Sequence, residues 1–161
     1  MKTIIASNSQ TSINEKVAKQ VNERIDLNII EINKEEIPMY SPEVEAMGFP
    51  LEIQKIYDLL KDESKLIIFT PEYNGYTTPY FKNIFDWLSR INHDFLKGVE
   101  VKIITVTPGK MGGASVRKIL SESLPFFGAI NIETYGVTNY FIKLEEDALD
   151  KDVENIYELV K

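Results

Sequence analysis

Five short apolar runs punctuate the chain, at residues 2–6, 27–32, 65–69, 99–106 and 130–137. Each has strand length and is rich in β-branched residues, so each predicts a buried strand. Between them the apolar positions recur at helical spacing instead. Val17, Ala18, Val21 and Ile25 predict a helix that starts at Ser12, where Ser12 and Glu15 have capping-box spacing. Leu51, Ile53, Ile56, Leu59 and Leu60 predict a second. Phe81, Ile84, Phe85 and Leu88 predict a third, with Thr78 as N-cap and Pro79 in the first turn. A fourth spans 114–127 with Val116, Ile119, Leu120 and Leu124 inward, and Pro125 should end or kink it. A last helix over 144–161 turns Val153, Ile156, Tyr157 and Val160 inward and carries Glu145, Glu146 and Asp147 in its first turn, where the dipole favours acids. Residues 33–50, broken by Pro38, Pro42, Gly48 and Pro50, read as a surface excursion.

Strands alternating with helices predict an α/β fold: a five-stranded parallel sheet covered by helices on both faces. With 161 residues and no repeat or linker, the expectation is a single domain over 1–161.

Charge and composition narrow the chemistry. The formal net charge is −7. That argues against nucleic acid or an anionic membrane as main partner, since both need clustered Lys and Arg. There is no cysteine, so disulfides, thiolate metal sites and cysteine nucleophiles are excluded. The N-terminal apolar run is short for a signal peptide and no run has membrane-spanning length, so a cytoplasmic protein is expected. His93 is the only histidine and falls in an expected surface loop. No His/Asp/Glu cluster has ligand spacing, so no metal is expected.

The candidate chemistry lies in three loops at the carboxyl ends of expected strands, where open α/β sheets bind ligands. The first, Ser7 to Asn14, is polar apart from Ile13 and leads into a helix N-terminus. Ser7, Ser9, Thr11, Ser12 and Asn14 offer donors there, which suits a phosphate bound without charge pairing. The same residues equally suit a helix cap on a solvated loop. G-x-G-x-x-G and a P-loop lysine are both missing, which argues against a Rossmann dinucleotide site or an ATPase site. The second loop, Pro71-Glu72-Tyr73-Asn74-Gly75-Tyr76, combines a proline that stops the strand, a turn pair tolerant of positive φ, and aromatics. Its backbone groups can meet the polar edge of a planar ligand while Tyr73 or Tyr76 flanks it; the plain alternative is aromatics folded onto the core. Glu72 reads as a backbone contributor or surface charge rather than a catalytic base. The third loop, Thr107-Pro108-Gly109 with Gly112-Gly113, permits close approach of backbone to a ligand, or is a simple strand-to-helix turn. Arg90, Lys110 and Arg117 are the nearest cations, and Trp87 reads as packing or subunit interface.

Pro71-Glu72-Tyr73-Asn74-Gly75, Pro79 and the run Lys82 to Arg90 resemble the signature P-E-Y-N-x-S-x-P-x-x-L-K-N-x-x-D-W of the NADPH-dependent FMN reductase family. Thr77 or Tyr76 stands where that family often has Ser, and Phe81 replaces Leu. The resemblance implies a three-layer flavodoxin-like fold with strand order 2-1-3-4-5. It implies FMN as cofactor and NADPH or NADH as co-substrate. It implies hydride passing through flavin N5 to a small acceptor such as a flavin, quinone, azo compound or metal oxyanion, and a homodimer or homotetramer. Chemistry on the flavin requires no catalytic side chain. The family's S-x-R-x-x-S-x-N phosphate motif matches at Ser7, Ser12 and Asn14, and Ser9 replaces its Arg, removing a charge-assisted contact. Two other classes stay open on the sequence: a flavodoxin-like electron carrier without its own NAD(P)H oxidation, and a flavin-free binding domain.

Overall fold

The structure, a computed structural model, describes every residue except Asn8 and Gln10. In chain order the elements are β1 (Lys2–Ile5), α1 (Ile13–Asn22), α2 (Pro42–Glu45), α3 (Leu51–Leu60), β2 (Lys65–Phe69), α4 (Pro79–Ile91), β3 (Glu100–Val106), α5 (Ala114–Ser123), β4 (Ile130–Val137), α6 (Tyr140–Glu145) and α7 (Asp150–Val160). The strands form one parallel sheet in the order β1-β2-β3-β4. Side chains alternate across it. Leu66, Ile68, Val101 and Ile103 meet α3, α4 and α5 on one face, whereas Ile67, Phe69, Ile104 and Val106 meet α1 and α7 on the other. A parallel sheet covered by helices on both faces is therefore observed.

The sheet has four strands among the described residues, not five. Residues 27–32 form a single parallel bridge, Thr3 to Ile29, on the side of β1 away from β2. Thr3 N–H donates to Asn28 C=O at 3.2 Å and Ile30 N–H to Thr3 C=O at 2.8 Å. Asn28 sits at a φ of 47°, which breaks extended geometry at the start of the run. Leu27 and Ile30 are nonetheless buried, so the apolar pattern reports burial and not a ladder.

The last helix also differs. It begins at Asp150, and Glu145, Glu146 and Asp147 end α6 rather than open α7. Asp147 adopts a φ of 56°, and Ala148 N–H reaches back to Lys143 C=O at 2.8 Å. That is a left-handed helix stop of Schellman type. Pro125 behaves as expected: α5 ends at Ser123 and a 3₁₀ turn, Leu124–Phe127, follows. Leu51, the first residue of α3, is exposed, while Ile53, Ile56 and Leu60 are buried.

Trp87 is fully buried inside the chain, its indole N–H donating to Pro38 C=O at 2.9 Å and its ring edge-on to Tyr40 and Phe49. It pins the excursion over 33–50 to α4 and is packing, not subunit interface. No helix among the described residues is long and apolar enough to cross a membrane.

Candidate active site

All three loops singled out in the sequence converge at the carboxyl edge of the sheet. They contribute to one cleft of about 480 Å³. That lies within the range of about 300–1,000 Å³ usual for cofactor sites. From the second loop only Pro71, Glu72 and Tyr73 line it; Asn74 and Gly75 do not, and Tyr76 lines a separate groove with Phe81 and Phe85.

The polar end of the cleft is the Ser7–Ser12 loop and the start of α1. Ser12 caps α1, its Oγ accepting from Glu15 N–H at 3.2 Å. Ser7 Oγ accepts from Ser9 N–H at 3.3 Å, and Ser9 Oγ from Thr11 N–H at 3.2 Å. Hydroxyls that accept from backbone keep their own O–H to donate. Ser9 and Thr11 hydroxyls lie 3.2 Å apart, so one of that pair donates to the other. Helix dipole and hydroxyl groups together make this end suited to an anion. Asn8 and Gln10, in the same loop, lie outside the described residues.

Asn14 does something different from what its place in the loop suggests. Its Nδ2 donates to Val106 C=O at 3.1 Å and its Oδ1 accepts from Val106 N–H at 2.9 Å. The last β2-side backbone bond to β3 is Thr70 N–H to Ile104 C=O at 2.9 Å. Beyond it, the Asn14 amide imitates a further strand residue and ties α1 to β3. It is a buried clamp at the floor of the cleft, not a free row of donors.

The second wall is the Pro71–Tyr76 turn. Asn74 and Gly75 have φ of 52° and 77°, and Tyr73 and Tyr76 exchange backbone hydrogen bonds at 2.9 and 3.0 Å. This is a two-residue turn with left-handed geometry at both central positions, which Asn-Gly accepts readily. Thr78 anchors the far side: its Oγ1 accepts from Phe81 N–H at 3.1 Å, capping α4, and donates to Ala6 C=O at 3.0 Å. One buried hydroxyl thus fixes the end of β1, the second loop and α4 together. Glu72 has a definite role, which its reading as surface charge missed. Its Oε2 accepts from Val116 N–H at 3.0 Å, placing a carboxylate on the first turn of α5.

The third wall is Thr107 to Gly113. Gly112 and Gly113 have φ of 57° and 71°. A Cβ on Gly113 would stand 2.8 Å from Thr105 Cβ, and one on Gly112 2.9 Å from Thr138 Cγ2. A Cβ on Gly109, by contrast, would meet no protein atom within 4 Å. That glycine presents bare backbone in a wall of the cleft, as close approach of a ligand requires. Pro71, Tyr73, Pro108 and Met111 add apolar surface.

The cations sort unevenly. Arg90 pairs with Glu45 at 3.0 Å, away from the cleft, and Lys110 lines it. Arg117 turns inward beneath the third wall, donating to Thr105 Oγ1 at 2.6 Å and to Gly112 C=O. Burial lowers its pKa, and the negative charge of Glu72 works against that. Lys34, absent from the sequence-based candidates, donates from Nζ to Ser7 C=O at 2.6 Å and lies over the Tyr80 ring. A cation therefore stands beside the loop that lacks arginine at Ser9. Lys34 lies 27 positions from Ser7, in a stretch without periodicity, and no sequence signal joins them. No group of acids and histidine among the described residues could hold a metal ion.

A doubly covered parallel sheet, with a cleft at its carboxyl edge that is anion-suited at one end and flat and bare-backboned at the other, defines a nucleotide-type cofactor protein. The chain belongs to the NADPH-dependent FMN reductase family, whose model matches residues 2–141. It is an oxidoreductase with FMN as cofactor and NAD(P)H as co-substrate. A protein of Mycoplasma pneumoniae with no assigned function is 33% identical over 130 residues, 78% of each chain. A quinone reductase of Escherichia coli is 34% identical over 96 residues, 59% of this chain but 51% of that protein. This chain thus spans about half the length of that relative. A flavoenzyme NAD(P)H:(acceptor) oxidoreductase from Paracoccus denitrificans shares the fold, with a TM-score of 0.71, 22% identity and 96% of each chain covered.

Proposed function

We propose that residues 1–161 form a single domain that binds FMN in this cleft and catalyses electron transfer from NAD(P)H to a small-molecule acceptor of the quinone, flavin, azo or metal-oxyanion kind. The observation that carries the reading is the chemical polarity of one cleft. Its α1 end offers serine and threonine hydroxyls at a helix N-terminus, and its other end offers backbone and apolar side chains. In this assignment Ser7, Ser9 and Ser12 hold the phosphate, with Lys34 beside them. Ile13 and Asn14 shape the floor. Pro71, Glu72 and Tyr73 form one wall against the ring system, with the Asn74-Gly75 turn behind them. Thr107, Pro108, Gly109, Gly112 and Gly113 form the other.

When bound, FMN supplies the redox chemistry, taking a hydride from NAD(P)H and passing electrons to the acceptor. The chain's own residues bind, orient and exclude water. No side chain serves as a proton donor or nucleophile. The Asn14 clamp and the Thr78 anchor keep the loops at fixed separation, which is what orientation requires. Met111 and Phe126, both about three-quarters exposed, fit burial in a homodimer or homotetramer. A cytoplasmic location agrees with this chemistry.

The test is FMN binding by quenching of flavin fluorescence, followed by steady-state NAD(P)H oxidation with a benzoquinone acceptor. Stoichiometric binding and acceptor-dependent turnover are expected. Binding without turnover would reduce the protein to an electron carrier, and no binding would refute the assignment.

A further inference from the structure

Arg117 sits directly behind the Gly112–Gly113 wall of the cleft. Its guanidinium donates to Gly112 C=O and to Thr105 Oγ1, and a Cβ at Gly136 would overlap it. The site is built: a glycine at 136 makes room, and the left-handed Gly112 turns its carbonyl onto the guanidinium. No carboxylate among the described residues pairs with it at ion-pair distance. Glu72, the nearest carboxylate in electrostatic reach, is held on the first turn of α5 by Val116 N–H. Positive charge thus stands behind Gly112–Gly113, while the negative charge of Glu72 stands at the edge of the opposite wall.

We propose that Arg117 is a positioning residue with an electrostatic task. It holds the Gly112–Gly113 wall in place, and its charge favours the more negative state of the flavin bound against that wall. The inference rests on the proposed placement of FMN. Its redox balance is simple. NAD(P)H gives up a hydride, two electrons with one proton, and becomes NAD(P)⁺. The ring system that receives it gains one negative charge unless a proton follows from solvent. A cation held behind the wall stabilises that added charge at no reorganisation cost. Glu72 opposes it.

The test uses the FMN-loaded protein and its two-electron potential, measured by equilibration with redox dyes. In Arg117→Met the ratio of reduced to oxidised FMN affinity should fall about tenfold, a potential about 30 mV more negative. Arg117→Lys, which keeps the charge, should restore most of that. Glu72→Gln keeps the oxygen that accepts from Val116 N–H and removes the charge, so its potential should rise. Opposite signs in the Met and Gln variants are something loosened packing does not produce. If Arg117→Met fails to fold, Arg117→Gln, which keeps an N–H donor for Gly112 C=O and removes the charge, decides: a more negative potential supports the assignment and no change overturns it. Equal shifts in Arg117→Met and Arg117→Lys would also overturn it. If the wild-type protein binds no FMN, the placement itself falls, and that result is visible before any variant is compared.

Discussion

The Asn14 clamp offers the sharpest test of how this site is held. Both its amide atoms bond the backbone of Val106, across 92 residues of sequence, and Asn14 and Val106 are each 1% exposed. Asn14→Ala leaves a buried N–H and a buried C=O without partners. Each such group costs about 1–3 kcal/mol, so the pair costs about 2–6 kcal/mol. The adjoining cleft lets water reach the spot, which favours the lower half, about 3 kcal/mol. For a chain of this length that lowers Tm by about 6–12 °C. Urea unfolding of the ligand-free protein measures it, and the slope m should not change. Asn14→Asp refines the argument. Its carboxylate can still accept from Val106 N–H but faces Val106 C=O without a proton to give. Burial and that facing carbonyl raise the folded-state pKa above the unfolded value of about 3.9. The protonated carboxyl restores both bonds. The stability it recovers is therefore complete below about pH 4 and lost as pH rises through the folded pKa. Asn14→Asp should approach wild type in acid and fall well behind it at pH 7. A loss under about 1 kcal/mol in Asn14→Ala, or an Asn14→Asp deficit that shrinks as pH rises, would refute the clamp.

Thr78→Val removes both the α4 cap and the bond to Ala6 C=O while keeping the volume, and should cost about 2–3 kcal/mol in the same unfolding assay. Gly75→Ala meets open space and pays only for its left-handed backbone, about 1 kcal/mol, whereas Gly113→Ala adds overlap with Thr105 and should be severalfold worse. Comparing their denaturation midpoints checks this, and equal costs would contradict the geometry. Lys34→Ala should weaken FMN binding by about fivefold, the scale of one partly exposed charge, and leave riboflavin, which has no phosphate, unchanged. Fluorescence titration with the two flavins separates a phosphate effect from a general loosening.

Much of this arrangement is legible in the sequence because its signals are local. Thr78-Pro79 starts α4, Ser12 caps α1, and Asn74-Gly75 makes the turn; each decision is made within four residues. The failures share the opposite trait. Residues 27–32 have strand composition, but whether a strand forms depends on partners along β1, and a single bridge results. Asp147 gives no glycine signal at the left-handed stop between α6 and α7. Asn14 is read as a free donor, but its amide is occupied by a partner 92 residues away. Lys34 and the capping role of Glu72 are invisible for the same reason. The three loops are assigned to one site on the family resemblance and the carboxyl-end rule. Their assembly into one cleft comes from the parallel sheet, which puts the carboxyl ends of β1, β2 and β3 on one edge.

The central claim is that this cleft holds FMN where NAD(P)H can reduce it. The most direct measurement is the visible spectrum of the protein with one equivalent of FMN, followed by anaerobic addition of NADPH or NADH. Bound-flavin bands that bleach on addition are the expected result. Flavin that stays free in solution, or that binds and does not bleach, would contradict the claim.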